Sequence, residues 1–462
     1  MTRPEQLDLA RSEGWRAWWA AAGALALGYA IYVGRGGPGP IPFVFLAIAI
    51  GAVAVAALRR SPPRIGTGRG LPKLLGFGLA VDVALLAVWP LTNPLAQDGP
   101  ADYVPFWAGL TFVAAVAVAP IFGVMRRGWL RLAILAALHF ILGVWVILVA
   151  PDPFIDVWVM QADGARALVE GVNPYLPIYE NLHGADSPYY GPGLVVDGEL
   201  TIGFPYPPLS LLLVMPGELL AGDPRFVHLL ALEIAAIAMA FSGHLGRVST
   251  SAALVFLFTP WTFFLVAGAW TEPLVILGVA GVLLAAMRTP RLLGVAVGLM
   301  IAIKQYVLLG LPLALIFLAR SDRERWRIGW QSVALAAALT LPFFVWDPGA
   351  FSWSTLGSLA GQVFRPDSLS FLAALPGDWG PRLSGFGFLL LVPLGALALW
   401  RAPRTAFGFA ASLGLMLLVF FAFSRQGSAN YSFAVIGILC AAVAVARIDR
   451  VPSPTPAPAI GS

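Results

Sequence analysis

Apolar runs of near-uniform length recur along the chain with short polar gaps between them. A hydrocarbon layer about 30 Å thick requires about 20 apolar residues of any helix that crosses it, and many of these runs come close to that demand. They cover 15–33, 41–58, 73–90, 105–125 and 130–150, then 206–221, 226–246, 250–267, 272–287, 292–303, 306–319, 329–346, 385–400, 405–423 and 431–446. A transmembrane barrel would instead show segments of about 10 residues with alternating polarity. The pattern predicts an all-α polytopic membrane protein of about 13 to 15 membrane segments, with one long polar loop from Pro151 to Gly203.

Arginines orient the segments. Arg3, Arg11 and Arg16 precede or open the first run, Arg59, Arg60, Arg64, Arg69 and Lys73 crowd the second gap, and Arg126, Arg127 and Arg131 the fourth, whereas the alternate gaps hold Arg35, then Asp98 and Asp102. The positive-inside tendency then places the N-terminus in the cytoplasm and delivers the long loop to the other face. Arg288 with Arg291, Arg320 to Arg327, Arg401 with Arg404, and Arg447 with Arg450 also belong to the cytoplasm, so 292–319 must leave and return on one side. Its halves are too short to span at 1.5 Å per residue, which predicts two half-helices breaking near Lys304 and Gln305. Such a break is tolerated only where it lines a cavity or is buried in protein. Parity stays open around 206–246: Arg225 and Arg247 both read as cytoplasmic, which makes one of the two runs there irregular.

Composition narrows the class. Charged residues are 11% of the chain, against roughly 25% in soluble domains, and mean hydropathy is +0.82, which leaves no room for a large soluble domain. The net charge of +5 sits in short loops as a topology signal, so nucleic acid is not an expected partner. Cys440 is the single cysteine, which excludes a disulfide framework and a cysteine metal site. The first run lacks a small-residue cleavage site and reads as a retained helix. The tail 451–462, rich in Pro, Ser and Ala, reads as disordered. No repeat of fixed period is evident, which disfavours a transporter built from duplicated halves.

The loop opens with Asp152 and Asp156, and the stretch from Asp156 to Glu170 has the period of an amphipathic helix lying at the interface, ending at Gly171. Asp156 stands where the fifth run meets this helix, with Trp158 two residues on. A carboxylate there is a candidate general base toward a sugar hydroxyl; the alternative is a solvated residue at a helix start. Asp163 and Glu170 read as solvated-face residues. Tyr175 and Tyr206, the latter set by Pro207-Pro208, suit either an interfacial aromatic belt or sugar stacking. Glu272 opens a helix at the outer face. Lys304 lies mid-way along the broken pair in a chain whose other lysine is Lys73, so a compact cation is wanted there, for a lipid phosphate or for pairing with Glu272. Arg365 and Arg425 fall in outer segments against the charge rule, which points to an anion that holds them, bound bidentately. The four histidines are scattered, so no transition-metal site is predicted, although a Mg²⁺ or Mn²⁺ ion between Asp156 and a phosphate stays open. A phosphate-cradling Gly-Lys loop is missing too, which argues against ATP hydrolysis.

The outer-loop Asp156, Gly171-Val172-Asn173-Pro174-Tyr175 and Tyr206-Pro207-Pro208-Leu209 resemble the GT-C superfamily of membrane glycosyltransferases, in its actinobacterial branch near family 87, the mannosyltransferase-like group. Trp270-Thr271-Glu272-Pro273, Lys304-Gln305-Tyr306, Trp346-Asp347-Pro348, Asp367-Ser368-Leu369-Ser370, Arg425-Gln426 and Asn430-Tyr431 resemble the same branch. The resemblance implies a GT-C-like architecture with a catalytic region at 129–450 that includes the outer loop 151–205, preceded by added transmembrane helices at 1–128. It further implies Asp156 as base, with Lys304 and Arg425 on the donor phosphate, to which the charge-rule reading adds Arg365. Arg425-Gln426 stands where compared members carry Lys-Gln, and keeps the charge. Trp158, Tyr175, Tyr206, Glu272, Gln305 and Gln426, in or beside these motifs, become the candidate substrate contacts. The implied donor is a polyprenyl-phosphate sugar, mannose before arabinose or glucose, and the acceptor a cell-envelope glycolipid or polysaccharide at the outer face of the plasma membrane. No cofactor is implied. The rival reading is a transporter or lipid flippase with Lys304 and Glu272 in its path; a third is a scaffold of an envelope-synthesis complex without activity.

Overall fold

A computed structural model describes residues 3–63, 68–88, 103–122, 124–125, 127–185 and 187–447. The tail from Val451 and the gap with Asp98 and Asp102 lie outside the described residues. The first apolar runs become α1 (Arg3–Val33), α2 (Pro40–Leu58), α3 (Leu71–Val88), α4 (Val104–Val118) and α5 (Gly128–Leu148). The long loop carries α6 (Asp156–Val169) and a small antiparallel hairpin of Val195–Val196 with Glu199–Leu200. Then follow α7 (Pro208–Ala221), α8 (Arg225–Ser242), α9 (Arg247–Leu257), α10 (Thr262–Ala267) and α11 (Glu272–Arg288). The half-helices are α12 (Leu293–Ile301) and α13 (Gly310–Phe317), and α14 (Asp322–Trp346) returns across the layer. Short turns α15 (Pro348–Ser352), α16 (Ser358–Gly361) and α17 (Trp379–Arg382) precede α18 (Phe386–Arg401), α19 (Ala406–Ala422) and α20 (Ala429–Val445).

Among the described residues α2, α3, α5, α8 and α14 are each long and apolar enough to cross a membrane alone. With the shorter apolar helices around them they make an all-α polytopic membrane protein. Its centre is α20, buried along nearly its whole length and packed against α1, α9, α11 and α19. Glycines permit these close approaches, as small residues do between membrane helices generally. A Cβ on Gly437 would lie 2.7 Å from Ile276, and one on Gly23 2.6 Å from Val53.

Charged caps tie one end of the bundle. Arg60 donates to the Trp400 carbonyl at 3.1 Å, Arg288 to that of Phe241 at 2.7 Å, and Arg327 to that of Arg291 at 2.9 Å, while Glu13 accepts from the Arg447 amide at 2.8 Å. The arginine-rich gaps therefore share one end and the long loop occupies the other.

Two irregularities locate the chemistry. The helix of 292–319 breaks as its length predicts: α12 stops at Ile301, Lys304 is extended at φ −153°, and residues 305–309 form a 3-10 turn before α13. The second concerns parity, where the expectation that Arg225 and Arg247 share a side is overturned. Helix α7 does not cross: it lies beside α6, with Arg166 Nε 2.7 Å from Glu218 Oε1, and its 14 residues reach only about 21 Å. Arg225 begins α8 at the loop end, where it donates to the Pro151 carbonyl at 3.2 Å, and α8 then carries the chain across to Arg247. Its charge gives no topology signal because Asp223 holds Nε at 2.9 and 3.0 Å and the side chain is fully buried.

Candidate active site

The loop end holds a cavity of about 590 Å³. Asp156 reaches its wall because Ile155 is extended and the helix begins at the aspartate, whose carboxylate suits the positive helix start. Its Oδ1 accepts from the Val157 amide at 2.8 Å and its Oδ2 from the Tyr190 hydroxyl at 2.9 Å. Burial and the neighbouring carboxylate push the Tyr190 phenol up, so it stays a donor. Around this group stand Tyr206, Trp261, Trp270 and Tyr431, an aromatic wall suited to the apolar face of a sugar.

Helix α6 is locked in place from behind. Gln161 donates to the Ala269 carbonyl at 2.6 Å and its Oε1 lies 2.6 Å from His228 Nε2, both side chains fully buried. Ala269 takes a left-handed φ of 51°, a strained conformation for alanine, and leads directly into Trp270 on the wall. Trp158 turns away from the cavity and donates to Asp223 at 3.4 Å.

The Gly171 to Tyr175 motif acts as a support. Tyr175 is fully buried and its hydroxyl donates to the Tyr206 carbonyl at 2.8 Å, which sets the backbone of a wall residue. Ser354 Oγ bridges the Gly203 amide and the Tyr175 carbonyl, at 2.8 and 3.0 Å. Gln305 belongs to the same support, donating to the carbonyls of Pro205 at 2.8 Å and Thr355 at 3.2 Å.

Lys304 does not line the cavity. The residue is 3% exposed, and its Nζ donates to Glu272 Oε1 at 2.6 Å and to Thr271 at 2.8 Å. Three tyrosine rings surround it, with centroids 4.8 Å away for Tyr206, 5.4 Å for Tyr431 and 5.6 Å for Tyr306. The pairing with Glu272, one of the two alternatives for this lysine, is the contact the geometry contains. Tyr206 and Tyr431 thus separate the ion pair from the cavity, and Glu272 Oε2 is buried without a hydrogen-bond partner.

The two outer arginines divide in the same way. Arg425 donates through Nη1 to the carbonyls of Gln362 at 2.8 Å and Ala360 at 3.1 Å, and its own carbonyl accepts from the Arg365 amide at 2.9 Å. Arg365 is on the cavity wall, with Nε and Nη2 on Asp367 at 2.8 and 2.6 Å and its guanidinium 4.6 Å from the Tyr189 centroid. That ion pair holds the Asp367 carboxyl below its usual range. Gln426 also lines the cavity. Of the predicted site residues the fold therefore brings Asp156, Tyr206, Arg365 and Gln426 to one cavity, and sets Trp158, Tyr175, Glu272, Gln305, Lys304 and Arg425 behind its walls.

Several wall residues were not singled out from the sequence, among them Tyr190, Trp261 and Arg35. Arg35 breaks the positive-inside rule as Arg365 does, and that signal would have found it. Among the described residues no group of three or more His, Cys, Asp and Glu could hold a metal ion. Asp156 and Asp367, the carboxylates on this wall, are both already hydrogen-bonded.

A loop-borne carboxylate and an arginine share the cavity at the aromatic end of the membrane bundle, and over just under half of its length the chain is similar to a family of glycosyltransferases. Residues 204–420 match the family model described as Glycosyltransferase family 87, the branch whose motifs the sequence resembles. The match begins at Phe204, so α1 to α6, Asp156 included, lie outside it. No curated protein and no solved structure gives a significant match.

Proposed function

We propose that this glycosyltransferase moves a sugar, mannose in the first instance, from a polyprenyl-phosphate donor to a hydroxyl of a cell-envelope glycolipid or polysaccharide. The observation that carries this reading is the presence of Asp156 and Arg365 on one aromatic cavity. Asp156 takes the proton of the acceptor hydroxyl. The acceptor oxygen then bonds to the anomeric carbon as the bond from that carbon to the phosphate oxygen breaks, with inversion. The phosphate leaves with the electron pair, and Arg365 offsets its growing charge. Lys304, its charge met by Glu272, supports the floor beneath Tyr206 and Tyr431, and Arg425 positions the segment that bears Arg365. No step is routed through a metal ion.

The cavity lies opposite the arginine-rich end, which supports an active site on the non-cytoplasmic face of the plasma membrane with the N-terminus in the cytoplasm. We keep 129–450 as the catalytic region and assign 1–128 to a preceding unit, whose α1 nevertheless packs on α20 and whose α2 packs on α18 and α19.

The test uses purified full-length protein, polyprenyl-phosphate mannose and a membrane extract as acceptor. Transfer that disappears in Asp156→Asn supports the assignment, and undiminished transfer overturns the base. The transport reading draws on the buried Lys304–Glu272 pair at a broken helix. Lipid movement across proteoliposomes without sugar transfer would favour it.

A further inference from the structure

We propose that the outer loop carries an acceptor subsite, in which a sugar unit of the acceptor stacks on Phe154 and hydrogen-bonds to His183 while its reacting hydroxyl meets Asp156. The inference rests on the reading of the chain as a glycosyltransferase with Asp156 as base.

Four rings of the loop line the cavity together with Asp156: Phe154, His183, Tyr189 and Tyr190. They touch in series. The His183 ring meets Phe154 edge to face with centroids 5.4 Å apart, Tyr189 at 4.7 Å and Tyr190 at 5.9 Å. Both ends of the series reach the chemistry. Tyr190 donates to Asp156 Oδ2 at 2.9 Å, and Tyr189 carries the Arg365 guanidinium 4.6 Å from its centroid. The rings therefore join the base to the arginine assigned to the phosphate.

The loop holds this patch in shape on its own. Asn181 Nδ2 donates to the Gly198 carbonyl at 2.9 Å, in the turn of the small hairpin, and its Oδ1 accepts from the His183 amide at 3.2 Å. The Tyr189 amide donates to Ser187 Oγ at 3.1 Å. A site ordered in advance loses less entropy when its ligand binds.

Exposure and ring chemistry point to the ligand. Phe154 is 45% exposed and Tyr189 44%. An interfacial belt explains exposed rings that face lipid headgroups, whereas these stand on a cavity wall with a carboxylate and an arginine. A pyranose has a face of C–H groups edged by hydroxyls, so its complement is an aromatic face beside hydrogen-bonding groups. Phe154 supplies the face. His183 supplies the polar edge, since its ring nitrogens hydrogen-bond to no partner among the described residues and offer one donor and one acceptor when neutral. Tyr189, held by Arg365, backs the imidazole.

The direction of the reaction assigns the patch to the acceptor. With inversion the acceptor oxygen enters opposite the departing phosphate. The phosphate faces Arg365 and the entering oxygen meets Asp156, so the donor sugar lies between them, against Tyr206, Trp261, Trp270 and Tyr431. The loop rings at Asp156 are left for the sugar that bears the entering hydroxyl.

The experiment measures steady-state transfer from polyprenyl-phosphate mannose to a membrane extract by full-length protein in nanodiscs, varying each substrate in turn. Phe154→Leu and His183→Ala should each raise KM for the extract about tenfold and leave KM for the donor unchanged, and Phe154→Trp, which keeps a stacking face, should stay close to the wild type. Linkage analysis of the wild-type product should find the new sugar bonded to another sugar. If Phe154→Leu and His183→Ala keep the wild-type KM for the extract, or change only that for the donor, the subsite is overturned and the enzymatic reading stands. A new sugar bonded directly to a lipid alcohol overturns the subsite in the same way. A wild type that transfers no sugar overturns both.

Discussion

The Tyr190 hydroxyl donates to Asp156 Oδ2 at 2.9 Å, across 34 residues of loop. This bond aims the carboxylate, and the other oxygen accepts, among the described residues, from the Val157 amide. Removing it in Tyr190→Phe should lower kcat about tenfold, a fraction of what a positioned base contributes, with KM for the donor unchanged. Because burial and Asp156 both oppose loss of the phenolic proton, the donor persists above the ordinary value of about 10. Wild type and Tyr190→Phe should therefore share the same alkaline limb in their pH–rate profiles. A limb that vanishes in the variant would mean that Tyr190 titrates in the working range.

The Lys304–Glu272 pair offers a test by stability. Breaking a buried pair from one side strands a charge and costs about 3 to 5 kcal/mol, while replacing both partners by apolar groups is often neutral. Lys304→Met and Glu272→Gln should each lower the thermal midpoint of the purified protein strongly, and Lys304→Met with Glu272→Leu should recover most of the loss. If the double variant is stable yet no longer binds polyprenyl phosphate, the lysine touches the donor after all.

Arg365 differs from Arg425 in what it faces. Arg365→Gln should raise KM for the donor about tenfold, the value of one charge-assisted contact, and Arg365→Lys should recover little because it lacks the fork. Arg425→Gln, by contrast, strands two carbonyls and should act mainly on the thermal midpoint. Steady-state kinetics and melting curves on the two variants separate the roles, and the reverse pattern would exchange them.

Gly203 lies so close to Tyr175 that a Cβ would be 2.2 Å from its carbonyl oxygen. Gly203→Ala must push the two segments apart at the point where Ser354 joins them, at a cost of about 3 kcal/mol, the upper end for overpacking. Since Tyr175 holds the Tyr206 carbonyl, activity should fall with stability. An alanine variant with an unchanged melting curve would show that this junction is loose.

Much of the architecture could be read from the chain because membrane helices announce themselves locally. Run lengths gave the helices, arginines gave their alternation, and the shortness of 292–319 gave the break at Lys304. Asp156 was visible because a helix period starts there. What stayed hidden depends on distant partners. Arg225 looks like a topology charge until Asp223 and the Pro151 carbonyl surround it. Lys304 and Arg425 carry the charge that a phosphate site needs, yet Glu272, Thr271 and backbone carbonyls, none of them near in sequence, engage Lys304 Nζ and Arg425 Nη1. Arg35 sits in four residues with no periodicity to read.

The broken helix also constrains how the protein is made. The break between α12 and α13 interrupts the helical ladder at 302–304 and brings a lysine to membrane depth, and a cation there costs about 2.5 to 3.5 kcal/mol during insertion. Glu272, synthesised 32 residues earlier, removes that cost once the two meet. The half-helices therefore have to leave the translocon as one hairpin, after α11 is seated and in contact with it, so the cavity floor is laid before α18 to α20 have emerged from the ribosome.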